Sequence, residues 1–291
     1  MILILFIEST TVNTITANEI IEKYSTILLD AYGVLVDKNS ALPGAKQFIE
    51  RLNTENKSYL ILTNDASKQP GTLSRKYARL GLEISEDKVI PSGSLLSRYF
   101  ADNNLQGCKC LFLGSEDSRS YVGEAGGKIV PFVGKDTKAD VLVICDGGDY
   151  PFIETIDLVL STLFATFDRG ENIKLVLPNP DYIYPKAAGY FGMTSGSVAL
   201  IIENALRLRY PQRDNLSFVR LGKPNKFIYE EAFLRCGTKD MVMVGDQMLT
   251  DIKGAYDFGI DSALIGTGVA NLDELCQEAA YAPTYLLKDL L

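Results

Sequence analysis

The chain has no histidine and no tryptophan. The missing histidine excludes the most. Ser-His-Asp and Cys-His nucleophilic catalysis need an imidazole base, and the usual His-bearing zinc sites need an imidazole ligand. Acid–base chemistry here falls to carboxylates, lysine, tyrosine or cysteine. Cysteine is sparse too, five in 291 residues. Cys108, Cys110, Cys145, Cys236 and Cys276 form an odd set without framework spacing, as expected of reduced thiols in a cytoplasmic protein. The close pair Cys108-Lys109-Cys110 opens an apolar run and reads as core rather than as a metal or redox site. A basic face is also missing. The net charge is −8 and the pI about 4.8, which speaks against nucleic acid or anionic membranes as partners. An anionic substrate stays compatible, because a bound divalent cation inverts a local field. No run approaches the ~20 apolar residues of a membrane span. The apolar run Met1–Ile7 is short, has no basic residue before it and meets Glu8 at once, so a secretion signal is not expected.

What is present is an ordinary soluble composition, 46% hydrophobic and 23% charged, in a chain long enough for two domains. Four apolar runs end in polar groups. Ile27–Leu29 ends at Asp30, with Gly33 supplying a sharp turn. Leu60–Leu62 ends at Thr63-Asn64, the run to Leu221 at Gly222-Lys223-Pro224, and Met241–Val244 at Gly245-Asp246. Buried strands of an open parallel sheet deliver such groups to one edge. Helical patterns separate them, the clearest being Ala45, Phe48, Ile49 and Leu52 after Pro43-Gly44. Between the second and third runs lies a block rich in strand and helix signals, including Val141–Ile144, the periodic stretch 152–167 and Lys174–Leu177. It reads as an insertion. The expected organisation is a Rossmann-like α/β core in two parts, residues 1–103 and 191–291, with an α/β cap at 104–190. The strand to Leu221 is assigned to the core.

The segments Asp30-Ala31-Tyr32-Gly33-Val34, Leu62-Thr63-Asn64, Gly222-Lys223-Pro224 and Gly245-Asp246-Gln247-Met248-Leu249-Thr250-Asp251 resemble, in order, the four motifs of the haloacid dehalogenase superfamily. The insertion after the second motif, with Asn179-Pro180-Asp181 near its end, is similar to the class IIA branch of 4-nitrophenylphosphatase-like and sugar phosphatases. The resemblance covers nearly the whole chain after Tyr24.

That resemblance implies Asp30 as a nucleophile that forms an aspartyl-phosphate, splitting one hard displacement into two. It implies Mg²⁺ held by Asp30, Asp246, Asp251 and the backbone carbonyl of Tyr32. Thr63 and Asn64 would hydrogen-bond phosphoryl oxygens, and Lys223 would neutralise charge. Asp65, Asn179 and Asp181 are the further substrate-binding candidates. A small phosphorylated metabolite is the implied partner, and cap surfaces often mediate homodimers in that family. One position departs from the pattern. Two residues after the nucleophile the phosphatases carry a second aspartate that moves protons, and here Tyr32 stands there. A phenol, titrating near about 10, donates a proton but is a poor base at neutrality. Three outcomes follow: a preference for good leaving groups, a substitute proton carrier such as Asp65 or a cap residue, or an impaired relative that binds a phosphorylated metabolite or a partner protein. Asp-Ala-Tyr-Gly also resembles the 2-haloacid dehalogenases, but those carry the insertion after the first motif and need no Mg²⁺.

Overall fold

A computed structural model describes residues 12–148, 150–187, 189–266 and 281–291. The apolar run Met1–Ile7 and Cys276 lie outside the described residues. Seven parallel strands form the larger sheet, in the order Asn13–Ile15, Tyr285–Leu287, Asp261–Ile265, Met241–Gly245, Thr26–Leu29, Ser58–Thr63 and Val89–Pro91. Thr26–Leu29 is buried at every residue, as its unbroken apolar run requires of a strand covered on both faces. From this strand the chain winds outward through Ser58–Thr63 to Val89–Pro91. It later returns on the other side through Met241–Gly245. The winding direction reverses between Thr26–Leu29 and Met241–Gly245, which opens a crevice at their carboxyl ends.

Local signals explain the flanking helices. Thr16 caps Ala17–Lys23: its hydroxyl accepts from Glu19 N at 3.2 Å, and the Glu19 carboxylate accepts from Thr16 N at 2.8 Å. Pro70 opens the helix Pro70–Arg79, where its missing N–H costs nothing. These helices and Ala45–Thr54 cover one face of the sheet. Ile20, Phe48, Ile49, Leu73 and Tyr77 pack there with Ile27, Leu29 and Ile61.

The inserted block builds a second parallel sheet, in the order Val219–Arg220, Lys174–Leu177, Val141–Ile144, Lys109–Leu113 and Lys128–Ile129. One buried cluster spans both sheets. Leu28, Leu62 and Met243 of the first share it with Cys110, Val143 and Val176 of the second, together with Leu96 and Phe100 of the helix Leu95–Asp102. Cys110 is therefore core, as its pattern indicates, and its Sγ lies 3.4 Å from that of half-buried Cys108. The far face is covered by Phe152–Asp168 and Ser195–Arg209, through Val159, Leu163, Val198, Ile202 and Leu206.

Two expectations change. The strand before Leu221 edges the second sheet and not the core sheet, because it pairs with Val176 and Leu177. At two residues it carries no periodicity that could assign it to either. The second sheet thus draws on chain well beyond residue 190. The stretch around residue 190, where the cap is expected to end, is an antiparallel hairpin of Ile183–Ala187 and Tyr190–Met193. Pro185 hides it from pattern reading, since proline argues against a strand. Among the described residues no helix is long and apolar enough to cross a membrane.

Tyr77 is fully buried, and its hydroxyl has no hydrogen-bond partner among the described residues. Burial holds its phenol well above the ordinary value, so the group is neutral. An unsatisfied buried hydroxyl is a cost, so Tyr77→Phe is expected to raise stability by about 1 kcal/mol, read as a higher urea midpoint at unchanged slope.

Candidate active site

The crevice collects the sequence-marked groups. Asp30 follows Thr26–Leu29, Thr63 and Asn64 end Ser58–Thr63, and Asp246 follows Met241–Gly245. The backbone of Asp30 is tied to the neighbouring strand by its N–H, which donates to Val244 O at 3.0 Å. Lys223 arrives from the edge of the second sheet. Its ammonium lies 2.6 Å from Asp30 Oδ1 and 2.7 Å from Asp251 Oδ1. Asp251 sits in the turn Met248–Ile252, where its Oδ2 accepts from Gln247 N at 3.2 Å. Asp30, Asp246 and Asp251 each offer an oxygen within 4.8 Å of the others, and all three are buried.

Three buried carboxylates cluster together, and one buried lysine pairs with two of them, Asp30 and Asp251. Burial pushes the Asp30 carboxyl well above its usual range; Lys223 opposes this, while Asp251 and Asp246 add to it. Burial alone would lower Lys223, but Asp251 and Asp30 more than offset it and hold it above its ordinary value. The cluster carries an excess of negative charge that water cannot screen. A hard divalent cation with oxygen ligands fits that donor set. The backbone leaves room for a close approach at the same point. Gly33 has φ +84°, and a Cβ there would lie 2.2 Å from Asp246 Oδ2, so only glycine brings this loop so near the carboxylate.

Other candidates are placed differently. Thr63 is buried, and its hydroxyl accepts from Asp65 N at 3.2 Å. Asp65 folds its carboxylate onto its own loop, accepting from Ser67 N at 2.9 Å and Ser67 Oγ at 2.7 Å. The Asn64 amide faces Lys223 and Asp181: Oδ1 accepts from Lys223 N at 2.7 Å, and Nδ2 donates to Lys223 O at 3.0 Å and to Asp181 Oδ1 at 2.8 Å. Asn179 turns to its own backbone, its Oδ1 accepting from Asp181 N at 2.9 Å. Tyr32 is 38% exposed. Its hydroxyl contacts the Lys76 ammonium, which also lies 4.6 Å from the ring centroid. Sequence reading did not mark Lys76; helical periodicity puts it on a polar face, with nothing to link it to Tyr32.

Family models of haloacid dehalogenase-like hydrolases match residues 27–128 and 220–291, the two stretches that hold Asp30, Thr63, Asn64, Lys223, Asp246 and Asp251. The chain belongs to that family. It is similar to the acid sugar phosphatase of Staphylococcus saprophyticus, 26% identical over 92% of this chain and 96% of the relative. A structure from Cytophaga hutchinsonii, described as a possible sugar phosphatase of this superfamily, superposes with a TM-score of 0.81. It is 29% identical and covers 96% of this chain and 99% of its own. The p-nitrophenyl phosphatase of Archaeoglobus fulgidus gives 0.76, 25%, 92% and 97%. The place of the chain is thus in the phosphatase branch of the family.

A raised Asp30 has a thermodynamic signature. A carboxyl that holds its proton more tightly when folded stabilises the protein at low pH, and that contribution is lost as pH rises from the unfolded value through the folded one. In chelator, stability is expected to fall as pH rises above the ordinary carboxylate range, by up to ~1.4 kcal/mol per pH unit, the limit for one proton. Asp30→Asn is expected to flatten that slope, and a millimolar divalent cation, which favours the ionised carboxylates, to restore wild-type stability above that range. Scanning calorimetry across pH, with and without the cation, checks both.

Proposed function

We propose that the protein hydrolyses small phosphomonoesters, sugar phosphates among them, in a Mg²⁺-dependent reaction with Asp30 as nucleophile. The observation that carries this reading is the buried group of three carboxylates, two of them paired with one lysine, at the switch point of the sheet. The names of the similar proteins support the substrate class. Asp30, Asp246, Asp251 and the Tyr32 carbonyl would hold the cation, which supplies charge neutralisation for two approaching anions. Lys223 holds the attacking carboxylate in place and offsets charge on the transferring group. The Asp30 oxygen bonds to phosphorus as the ester P–O bond breaks. Water then attacks the aspartyl-phosphate and frees Asp30. Thr63 presents its hydroxyl at the same edge.

Tyr32 stands where the family resemblance puts the proton-transferring aspartate. A phenol can donate a proton to a leaving oxygen but, while it carries its proton, is no base for an attacking water, so it is a weaker proton carrier than a carboxyl group. Esters whose leaving group needs no proton should therefore react fastest. Asp65 is held in its own turn and does not substitute. The runner-up reading, a protein that binds a phosphorylated metabolite without turning it over, rests on the same tyrosine. We further propose that the inserted unit covers the site and selects the substrate.

Phosphate release from 4-nitrophenyl phosphate and acetyl phosphate tests the reading. Turnover should require Mg²⁺ and fall to background in Asp30→Asn. Tyr32→Asp should raise turnover of alkyl phosphates by ~10²-fold, the lower range for a general acid–base group, and change acetyl phosphate little. No wild-type turnover on either substrate, with Mg²⁺ still raising the melting temperature, would select the binding protein.

A further inference from the structure

A side-chain amide has two N–H donors and one carbonyl acceptor. At Asn64 both donors are used, one on Lys223 O and one on Asp181 Oδ1, while its oxygen accepts from Lys223 N. The partners fix the amide's orientation, because the Lys223 N–H must meet the oxygen and the Lys223 carbonyl the nitrogen. No hydrogen of the Asn64 side-chain amide is left for a phosphoryl group. The amide grips the backbone of the residue whose ammonium pairs with Asp30.

We propose that Asp181 is a positioning residue for Lys223, acting through Asn64; this rests on the reading of Lys223 as part of the hydrolytic site. Asp181 is itself firmly placed. Its carbonyl accepts from Gly196 N at 3.0 Å and from the Thr194 hydroxyl, and its N–H is held by Asn179. A Cβ on Gly196 would sit 2.4 Å from that carbonyl, so the first turn of Ser195–Arg209 lies directly against it. Only the Asp181 carboxylate reaches toward the core.

The chain on either side makes this a junction. Lys174–Leu177 and Val219–Arg220 are neighbours in the second sheet, and both leave it toward the crevice. Their extensions stay joined: Leu221 N donates to Leu177 O at 3.1 Å, and Gly222 N to Pro178 O at 2.9 Å. One extension delivers Asp181 and the other Lys223. Asn64, at the end of a core strand, binds both. A Cβ on Gly222 would lie 2.4 Å from Asn64 Oδ1, so the amide sits flush against the lysine's loop. The inserted sheet thus holds the lysine by two routes, one along the backbone and one through Asp181 and Asn64. Removing the Asp181 acceptor frees the amide to rotate and loosens its hold on Lys223.

Two measurements test this, one independent of turnover. Amide hydrogen exchange at Lys223, read by mass spectrometry on short peptides across 221–225, should speed up roughly tenfold in Asp181→Ala, as expected when a local opening becomes easier. Asp181→Asn keeps an acceptor oxygen and should stay closer to wild type than Asp181→Ala. With 4-nitrophenyl phosphate, Asp181→Ala should lower kcat roughly tenfold and leave KM within about twofold, the pattern of a misplaced group. Its loss should add little to that of Asn64→Ala in the double variant. Unchanged exchange at Lys223 in Asp181→Ala overturns the proposal, as does exchange in Asp181→Asn as fast as in Asp181→Ala. A raised KM with kcat kept also overturns it, because Asp181 would then touch the substrate. Should the wild type release no phosphate while exchange responds as stated, the phosphatase reading falls and the positioning of Lys223 stands.

Discussion

The site depends on one ion-paired lysine. Lys223 lies 2.6 Å from Asp30 and 2.7 Å from Asp251, all three groups buried. Removing one partner of such a cluster strands charge in a medium that cannot screen it, a loss of typically about 3–5 kcal/mol. The elements around it serve that pairing. Thr26–Leu29 brings Asp30 and the turn Met248–Ile252 brings the second carboxylate, Asp251. Tyr229 braces that turn, its hydroxyl donating to Asp251 O at 3.0 Å. The lysine is a bridge between two anions and leaves the cluster negative, so the arrangement is suited to receive a cation as well as a phosphoryl group.

Much of this was readable in the chain. Asp30, Thr63, Asn64 and Asp246 each end an apolar run, and parallel topology forces such ends to one edge. Lys223 also follows an apolar run, and resemblance to the fourth family motif marked Asp251. Less readable were features without periodicity. Asn13–Ile15, Val219–Arg220 and Tyr285–Leu287 are too short to show alternation, and each is identified only by the strand it pairs with. The side-chain partners of Asn64 were hidden for a related reason: residue type announces a donor and an acceptor, but not that the amide meets Lys223 and Asp181. Lys76 at Tyr32 belongs to the same class, a contact between residues 44 apart in sequence.

The shared apolar layer between the sheets bears on how the inserted unit acts. Leu28, Leu62 and Met243 belong to the same buried cluster as Cys110, Val143 and Val176, so the two sheets are not joined by linkers alone. The polar contacts at Asn64 lie where chain passes from one sheet to the other. Packing sets the approach of the two units, and directional hydrogen bonds set the register in which the lysine arrives.

The edge strand Val219–Arg220 has a consequence for engineering. Its residues close the inserted sheet, yet Lys223 follows after only Leu221 and Gly222. A cassette exchange cut near residue 190 would divide that sheet, leaving Ser195–Arg209 and the edge strand with the recipient and the strands they cover with the donor. A transplant that respects the sheet must carry the chain from about Lys109 through Arg220 and join it three residues short of Lys223. New specificities on this scaffold would then have to be introduced inside the sheet's own loops, because its seam is already part of the reactive centre.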